Sequence, residues 1–374
     1  MKKRILFLAL LALAVGGVFI LNYNDEEIET KSDWRPGDPL DKNLIKIGVI
    51  HVSDPENEKS GYAYAHYLGV EKMRKEIGLR DEQIINKVNV SDIDMAAAEM
   101  AMRECASSGV NIVFATSWNY MDLCEKLADE YPGVVFAHAS GARHNDRNFT
   151  NYFGRIYQAR YMSGVVAGLK TATGRIGYVA AMGKDNSEVT SGLDAFAMGV
   201  ESVNPAAGIY VRVIHRWLDP AGESQAARYL IEEGCDVIAQ HCNTPNPQIE
   251  AQRAGVWGIG YNSDMRNDAP DATVVSVLWD WGVSYSSLVK SVIDGTFTTA
   301  PYMGDIKDGM IGLTPFNERL LPPGAADVVK AARERIENGE NGIFEGEMET
   351  NDGRIVGKPG KKLSDGEIAA SIDW

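Results

Sequence analysis

Residues 234–262 read GCDVIAQHCNTPNPQIEAQRAGVWGIGYN. Residues 236–241 are a short apolar run of strand type, 247–254 have the length of a helix, and 256–261 are again a strand. A strand, a helix and a second strand in close succession form one parallel unit, because two parallel strands need a crossover between them. The same alternation extends outward from about residue 44. Strands are expected over 45–52, 111–117, 134–138, 175–181, 209–215 and 273–278, and helices over 61–77, 121–131, 159–170, 190–203, 222–233, 285–294 and 325–338. In 61–77, Ala65, Gly69, Met73 and Ile77 recur every four residues and mark one buried stripe. The run Ser91, Asp92, Ile93, Asp94 reads as the N-cap of a further helix that ends at Ser107. This is the pattern of doubly wound parallel sheets, and eight strands suit two sheets better than one.

Length agrees with that division, since 374 residues are long for one compact domain. Two lobes with a cleft between them are the expected arrangement. Apolar residues make up 45% and charged residues 24%, ordinary values for a globular chain that exclude disordered, collagen-like and disulfide-scaffold classes. The 37 Lys and Arg stand against 52 Asp and Glu, a formal charge of −15 that repels nucleic-acid phosphates and anionic lipid head groups.

Residues 1–21 begin with Lys2, Lys3 and Arg4 and continue as an apolar run over 5–21, the composition of an export signal or of an uncleaved anchor. Residues 22–43 read as an acidic polar linker. The expected location is extracytoplasmic, either periplasmic or attached to the outer face of the cytoplasmic membrane. Such a compartment permits disulfides, but Cys235 and Cys242 flank a strand that would hold their alpha carbons roughly 23 Å apart, against a limit of about 7 Å for a bond. Cys105 and Cys124 fall in consecutive helices and read as buried thiols. Residues 340–374 are expected to form a small hairpin and tail, largely solvated.

Ligands of open parallel sheets bind at the carboxyl ends of the strands, and here those ends are aromatic and polar. Ser117, Trp118 and Asn119 follow one strand, Trp217 another, and His241 with Asn243 a third. Asn262 and Asp264 close a fourth, and Trp279, Asp280 and Trp281 a fifth. Tyr62 enters the first long helix. Flat aromatic walls edged by Asn, Asp and His suit a planar, hydrogen-bonding ligand such as a purine, and a sugar would stack on Trp as well. Bland roles compete at each position: one Trp may only close a sheet edge, Asp122 and Asp219 can cap helices, and His66 reads as a surface or interface residue. No nucleophile elbow, zinc-binding helix, phosphate loop or dinucleotide fingerprint is present. An enzyme is therefore not expected, nor a metal or cofactor.

The strand-end motifs resemble those of the basic membrane protein family, the solute-binding components of ABC importers that include purine nucleoside receptor lipoproteins. The resemblance spans roughly residues 46–343 and rests on GYAYAH (61–66), TSWNYMD (116–122), YMSGVVAG (161–168), IGYVAA (176–181) and SVNP (202–205). WLDPA (217–221), DVIAQH (236–241), GYNSDM (260–265), WDWG (279–282) and KDGM (307–310) extend it. It implies a type I periplasmic-binding-protein fold, two doubly wound lobes joined by three crossovers, closing on a ligand like a hinged trap. The lobes would comprise residues 44–156 with 263–297, and 157–262 with 298–339. Tyr62 and Trp217 stand where the family stacks a purine from two sides, with Ser117, Trp118, Asn119, His241, Asn243, Asn262, Asp264, Trp279 and Asp280 around it. Family members often carry Trp or Phe at the place of Tyr62 and usually Asp at that of Asn262, and the amide adds a donor there. The resemblance implies capture of a purine base or nucleoside by a monomer serving an ABC permease and its ATPase. Another planar or sugar-like solute, such as riboflavin, and a membrane-anchored ligand sensor are the alternatives.

Overall fold

A computed structural model of the chain describes residues 34–340 and 342–371. The expected export or anchor segment (1–21) and residues 22–33 of the expected linker lie outside them. Along the chain run β1 (Ile47–Ile50), α1 (Pro55–Glu58), α2 (Gly61–Ile77), β2 (Ile84–Lys87), α3 (Met95–Ser107), β3 (Ile112–Ala115), α4 (Met121–Glu130), β4 (Val135–Ala139) and β5 (Phe149–Gly154). Next come α5 (Ile156–Lys170), β6 (Arg175–Ala180), α6 (Ser187–Glu201), β7 (Gly208–Val213), α7 (Pro220–Glu232), β8 (Val237–His241), α8 (Asn246–Ala254), β9 (Trp257–Asn262) and β10 (Thr273–Trp279). Then follow α9 (Trp281–Ile293), β11 (Tyr302–Gly304), β12 (Ile311–Leu313), α10 (Ala325–Glu337), β13 (Glu345–Glu349), β14 (Ile355–Lys362) and α11 (Asp365–Ser371).

Two sheets result. The first has the order β11-β5-β4-β3-β1-β2 and is parallel throughout. The second has the order β12-β10-β9-β8-β6-β7 and is parallel except where β12 pairs antiparallel with β10. Central strands β1, β3 and β8 are buried along their whole length, as mostly apolar strands of a parallel sheet covered on both faces require. Burying each such side chain contributes about 1.5–3 kcal/mol.

Two parts of the expected lobe division need correction. Residues 263–297 were expected with the first lobe, yet β10 pairs with β9 from Thr273↔Gly258 onward and belongs to the second sheet. Residues 298–339 were expected with the second lobe, yet β11 pairs with β5 in the first sheet. The physical reason is that helix α9, not strand β10, packs back against α2, so the chain changes sides after Trp279. It also changes sides between β5 and α5, and again between β11 and β12. These crossings hydrogen-bond one another: Arg155 N–H donates to the Gly304 carbonyl at 2.8 Å, and Asp280 N–H to the Met310 carbonyl at 2.7 Å. Gly154 lies where they meet, since a Cβ there would stand 2.9 Å from the Trp279 ring and 3.0 Å from Ile311.

Three further expectations change. His66 is fully buried, stacked on Trp281 with ring centroids 4.3 Å apart and hydrogen-bonded through Nδ1 to the Tyr285 hydroxyl at 2.5 Å. Within the stretch expected as linker, Trp34 is buried and Leu40 N–H donates to the Ile293 carbonyl at 2.9 Å, because these apolar side chains find a core that average composition hides. The expected C-terminal hairpin is β13 paired with β14, but Ile343, Phe344 and Ile368 beside it are buried rather than solvated. All four cysteines are buried free thiols.

Candidate functional site

The carboxyl ends of both sheets face one narrow cleft. From the first sheet come Val52 after β1, Asp92 after β2, Ser117 and Trp118 after β3, Ser140 after β4, and Tyr62 in the first turn of α2. From the second come Glu188 in the first turn of α6, Trp217 after β7, Asn243 after β8, and Tyr261 on β9. Five residues named from sequence thus meet here: Tyr62, Ser117, Trp118, Trp217 and Asn243.

Each wall is fixed from behind. The Tyr62 hydroxyl donates to the Thr116 carbonyl at 2.8 Å, and its ring meets His66 edge-on at 4.5 Å. Ser117 donates through Oγ to Asp92 Oδ2 at 2.7 Å and is anchored by His138, whose Nε2 lies 2.8 Å from the Ser117 carbonyl. Trp217 and Asn243 are joined by a hydrogen bond from the Asn243 N–H to the Trp217 carbonyl at 3.0 Å. Behind both loops the buried Glu223 accepts the Asp219 N–H through Oε1 at 3.3 Å, and through Oε2 the Thr244 N–H at 3.1 Å and hydroxyl at 2.5 Å.

The floor of the cleft is a relay of side chains. The Trp279 Nε1–H donates to the Tyr261 hydroxyl at 3.0 Å, and that hydroxyl donates to Glu188 Oε1 at 3.1 Å. His241 Nε2 stands 3.4 Å from the same oxygen, while its Nδ1 lies 3.2 Å from the Tyr178 hydroxyl. Burial pushes His241 well below the usual imidazole range and pushes the Glu188 carboxyl up to about 7, against the opposing pull of the Tyr261 hydroxyl and of Arg160. The fully buried Arg160 lies over the Tyr261 ring, 4.0 Å from its centroid, and donates to the Gln240 carbonyl at 2.6 Å.

The other residues named from sequence stand elsewhere. Asn119 faces a neighbouring surface groove with Ile93, Met95 and Lys126. His241 lies one layer behind the cleft, edge-on to Trp217 at 6.0 Å. Asn262 is fully buried beside Tyr261, in the left-handed backbone region at φ +69°, with both amide atoms lacking a hydrogen-bond partner. Asn tolerates that conformation better than most residues. Asp264 caps a short 3-10 turn and pairs with Arg266 at 2.5 Å. Trp279 stacks on Trp281 at 4.4 Å behind Tyr261, and Asp280 pairs with Lys72 at 2.6 Å. Asp219 caps α7, accepting from the Gly222 N–H, and Asp122 pairs with Arg143.

Residues the sequence reading missed are Val52, Asp92, Ser140, Glu188 and Tyr261. Asp92 had been read only as part of a helix cap, which Asp94 in fact supplies. Glu188 looks like any acid in a first helical turn. Tyr261 ends a strand, and that was the one available signal.

Residues 46–340 match the family described as ABC transporter substrate-binding protein PnrA-like, Bmp. The chain belongs to this family. Bmp proteins are solute-binding components of ABC transporters; they work outside the cytoplasmic membrane, with a ligand and a transporter as partners, and are not enzymes. A purine-binding protein of Brucella abortus (strain 2308) is 32% identical over 325 residues, covering 86% of this chain and 89% of the relative. A Haloferax volcanii protein named as a candidate ABC transporter glucose-binding protein is also 32% identical, over 320 residues, covering 86% of this chain and 78% of its own. An ABC transporter solute-binding protein from Conexibacter woesei superposes with a TM-score of 0.65 at 21% identity, over 79% of this chain and 97% of that one. That likeness gives the fold, a type I periplasmic-binding arrangement of two parallel α/β lobes.

Proposed function

We propose that this Bmp protein captures a purine base or nucleoside in the cleft and presents it to a permease and its ATPase. The observation that carries the reading is the placement of two aromatic side chains, Tyr62 and Trp217, from opposite sheets in one cleft whose remaining lining is rich in hydrogen-bonding groups. A flat heteroaromatic ring between them gains dispersion on both faces, while Ser117, Asn243, Asp92 and Glu188 meet its polar rim. Leaving such a buried group without a partner costs about 1–3 kcal/mol, so these residues select the ligand. Asn262 and His241 act from the next layer, with Trp118 and Asn119 at the rim. Asp264, Trp279 and Asp280 are engaged by other side chains and serve the scaffold. Residues 1–21 direct export or anchor the chain, which acts as a monomer.

The purine-binding relative supports this ligand class. A sugar is the second reading, favoured by the equal identity to the candidate glucose-binding relative and by the exposed Trp118 at the cleft wall. Thermal unfolding of the purified protein with purine bases, nucleosides, riboflavin and glucose separates them. A ligand at 100 times its dissociation constant adds about 2.7 kcal/mol of stability. Stabilisation by purines is the expected result; stabilisation by glucose without purines reverses the assignment.

A further inference from the structure

Glu188 lines the cleft and has no salt bridge to Lys or Arg among the described residues. Asp92, the other cleft-lining acid, is already bonded to Ser117. Glu188 instead receives two contacts on a single oxygen, the Tyr261 hydroxyl at 3.1 Å and His241 Nε2 at 3.4 Å, and Oε2 has no partner. Its side chain is 17% exposed, enough to reach a ligand and too little for full solvation.

The direction of each neighbouring proton follows from the relay. Trp279 Nε1 can only donate, so the Tyr261 hydroxyl accepts from it and turns its own proton to Glu188 Oε1. His241 can supply a second proton to the same oxygen when its Nδ1 accepts from the Tyr178 hydroxyl. Either form of the carboxyl can accept twice on one oxygen, but the side chain is mostly buried and has no Lys or Arg salt bridge among the described residues, which favours the neutral acid. With Oε1 occupied on both sides, the acid proton falls to Oε2, toward the cleft. We infer that Glu188 binds the ligand as a neutral acid, donating a hydrogen bond from Oε2 to an unprotonated ring nitrogen or carbonyl oxygen of a purine. The inference rests on the purine reading above and deepens it by naming a specificity-determining contact.

Among the groups around Glu188, the Tyr261 hydroxyl and Arg160 favour the ionised form, and burial outweighs them. Facing it are Tyr261 on β9, His241 on β8, Tyr178 on β6, Arg160 on α5 and Tyr62 on α2, with Asp92 across the cleft. Arg160 makes no hydrogen bond to Glu188, donating instead to the Gln240 carbonyl and lying over the Tyr261 ring, although its charge does pull the Glu188 carboxyl downward. His241 is held neutral by burial. Asp92 is an acid that gains nothing from a second negative charge nearby. Burial alone then pushes Glu188 up to about 7, so the acid is poised between its two forms near neutral pH. Ionised Glu188 is an acceptor only and repels a ligand acceptor.

The test is calorimetric titration of the protein with adenine and adenosine from about pH 6 to about pH 8.5, for the wild type, Glu188→Gln and Glu188→Ala. Wild-type affinity should be level at the acid end and fall, by up to about tenfold per pH unit, above about pH 7. Glu188→Gln, whose amide keeps a donor at the same place, should bind with a level profile, and Glu188→Ala should bind weakly at every pH. Melting curves of each variant identify any that fail to fold, in which case the wild-type profile decides alone. Purine binding that is level with pH in the wild type, or that strengthens with rising pH, overturns this inference and leaves the purine reading standing. No purine binding at any pH overturns both.

Discussion

The backbone of Gly61 lies directly against the carbonyl oxygen of Asn243: a Cβ built on the glycine would stand 2.1 Å from it. The same turn donates the Gly61 N–H to Ser263 Oγ at 2.8 Å and the Tyr62 N–H to the Asn243 carbonyl at 3.3 Å. Because α2 is packed on the first lobe while Asn243 and Ser263 follow strands of the second, this contact fastens the lobes at the cleft. Gly61 is at φ +83°, a conformation that also disfavours a side chain.

Gly61→Ala should therefore weaken ligand binding by about tenfold or more, since strain of roughly 1–2 kcal/mol adds to the steric contact. Calorimetry with the preferred ligand checks it. An unchanged affinity would show that capture does not require this contact.

Tyr62→Ala and Trp217→Ala should each reduce purine affinity by roughly a hundredfold, the effect of removing one aromatic wall worth about 2–3 kcal/mol. Tyr62→Phe is the informative control. It keeps the ring and removes only the hydrogen bond to the Thr116 carbonyl, so stability should fall by about 1 kcal/mol with affinity nearly unchanged. Wild-type binding by both alanine variants would remove the sandwich from consideration.

Glu223 touches no part of the cleft surface yet ties the loop carrying Trp217 to the loop carrying Asn243. Glu223→Gln turns one acceptor into a donor facing Thr244 or Asp219 and should cost about 1–3 kcal/mol in stability. Dissociation should quicken as well, read by stopped-flow fluorescence against the melting temperature. A fall in melting temperature with unaltered dissociation would assign Glu223 to stability alone.

Burial pushes His138 down to about 4 from an ordinary value of 6.5. The unfolded chain binds a proton there as pH falls through about 6.5, whereas the folded chain resists until about 4. The stabilisation is thus complete above about 6.5 and is lost on acidification between these values, by roughly 3 kcal/mol in all. His66 and His241, pushed down by burial as well, act in the same direction. Melting temperatures recorded from about pH 7 to about pH 4 should decline, and His138→Gln should flatten the decline.

The alternation around residues 234–262 was sufficient to read the doubly wound sheets, since a buried parallel strand is written in consecutive apolar residues. Strands β2 and β5, sequences IINK and FTNYFG, escape that reading because polar residues interrupt them. The sheet to which β10 belongs escapes it for another reason. Its residues are apolar on both faces, and only the packing of α9 on α2 determines where the chain crosses. At the site, Trp118 and Trp217 stood out because an aromatic just past a strand has few other tasks, and Tyr62, in the first turn of α2, stood out through the family resemblance. Asp264 and Asp280 were not, because the cations that engage them, Arg266 and Lys72, stand two residues away in one case and on a distant helix in the other. Glu188 was invisible, since its distinguishing property is burial beside a hydroxyl and an imidazole without a Lys or Arg salt bridge, and that is a fact of three dimensions.

The stacked indoles Trp279 and Trp281 stand on either side of a lobe crossing, 4.4 Å apart and inclined by 10°. One ends a strand of the second sheet and the other begins the helix that packs on α2. Two chromophores held so close share their electronic transitions, and the sign and size of the resulting near-ultraviolet dichroism depend on the angle between them. Any rotation of the lobes about that crossing must alter this angle, so the unmodified protein carries an optical gauge of its own hinge.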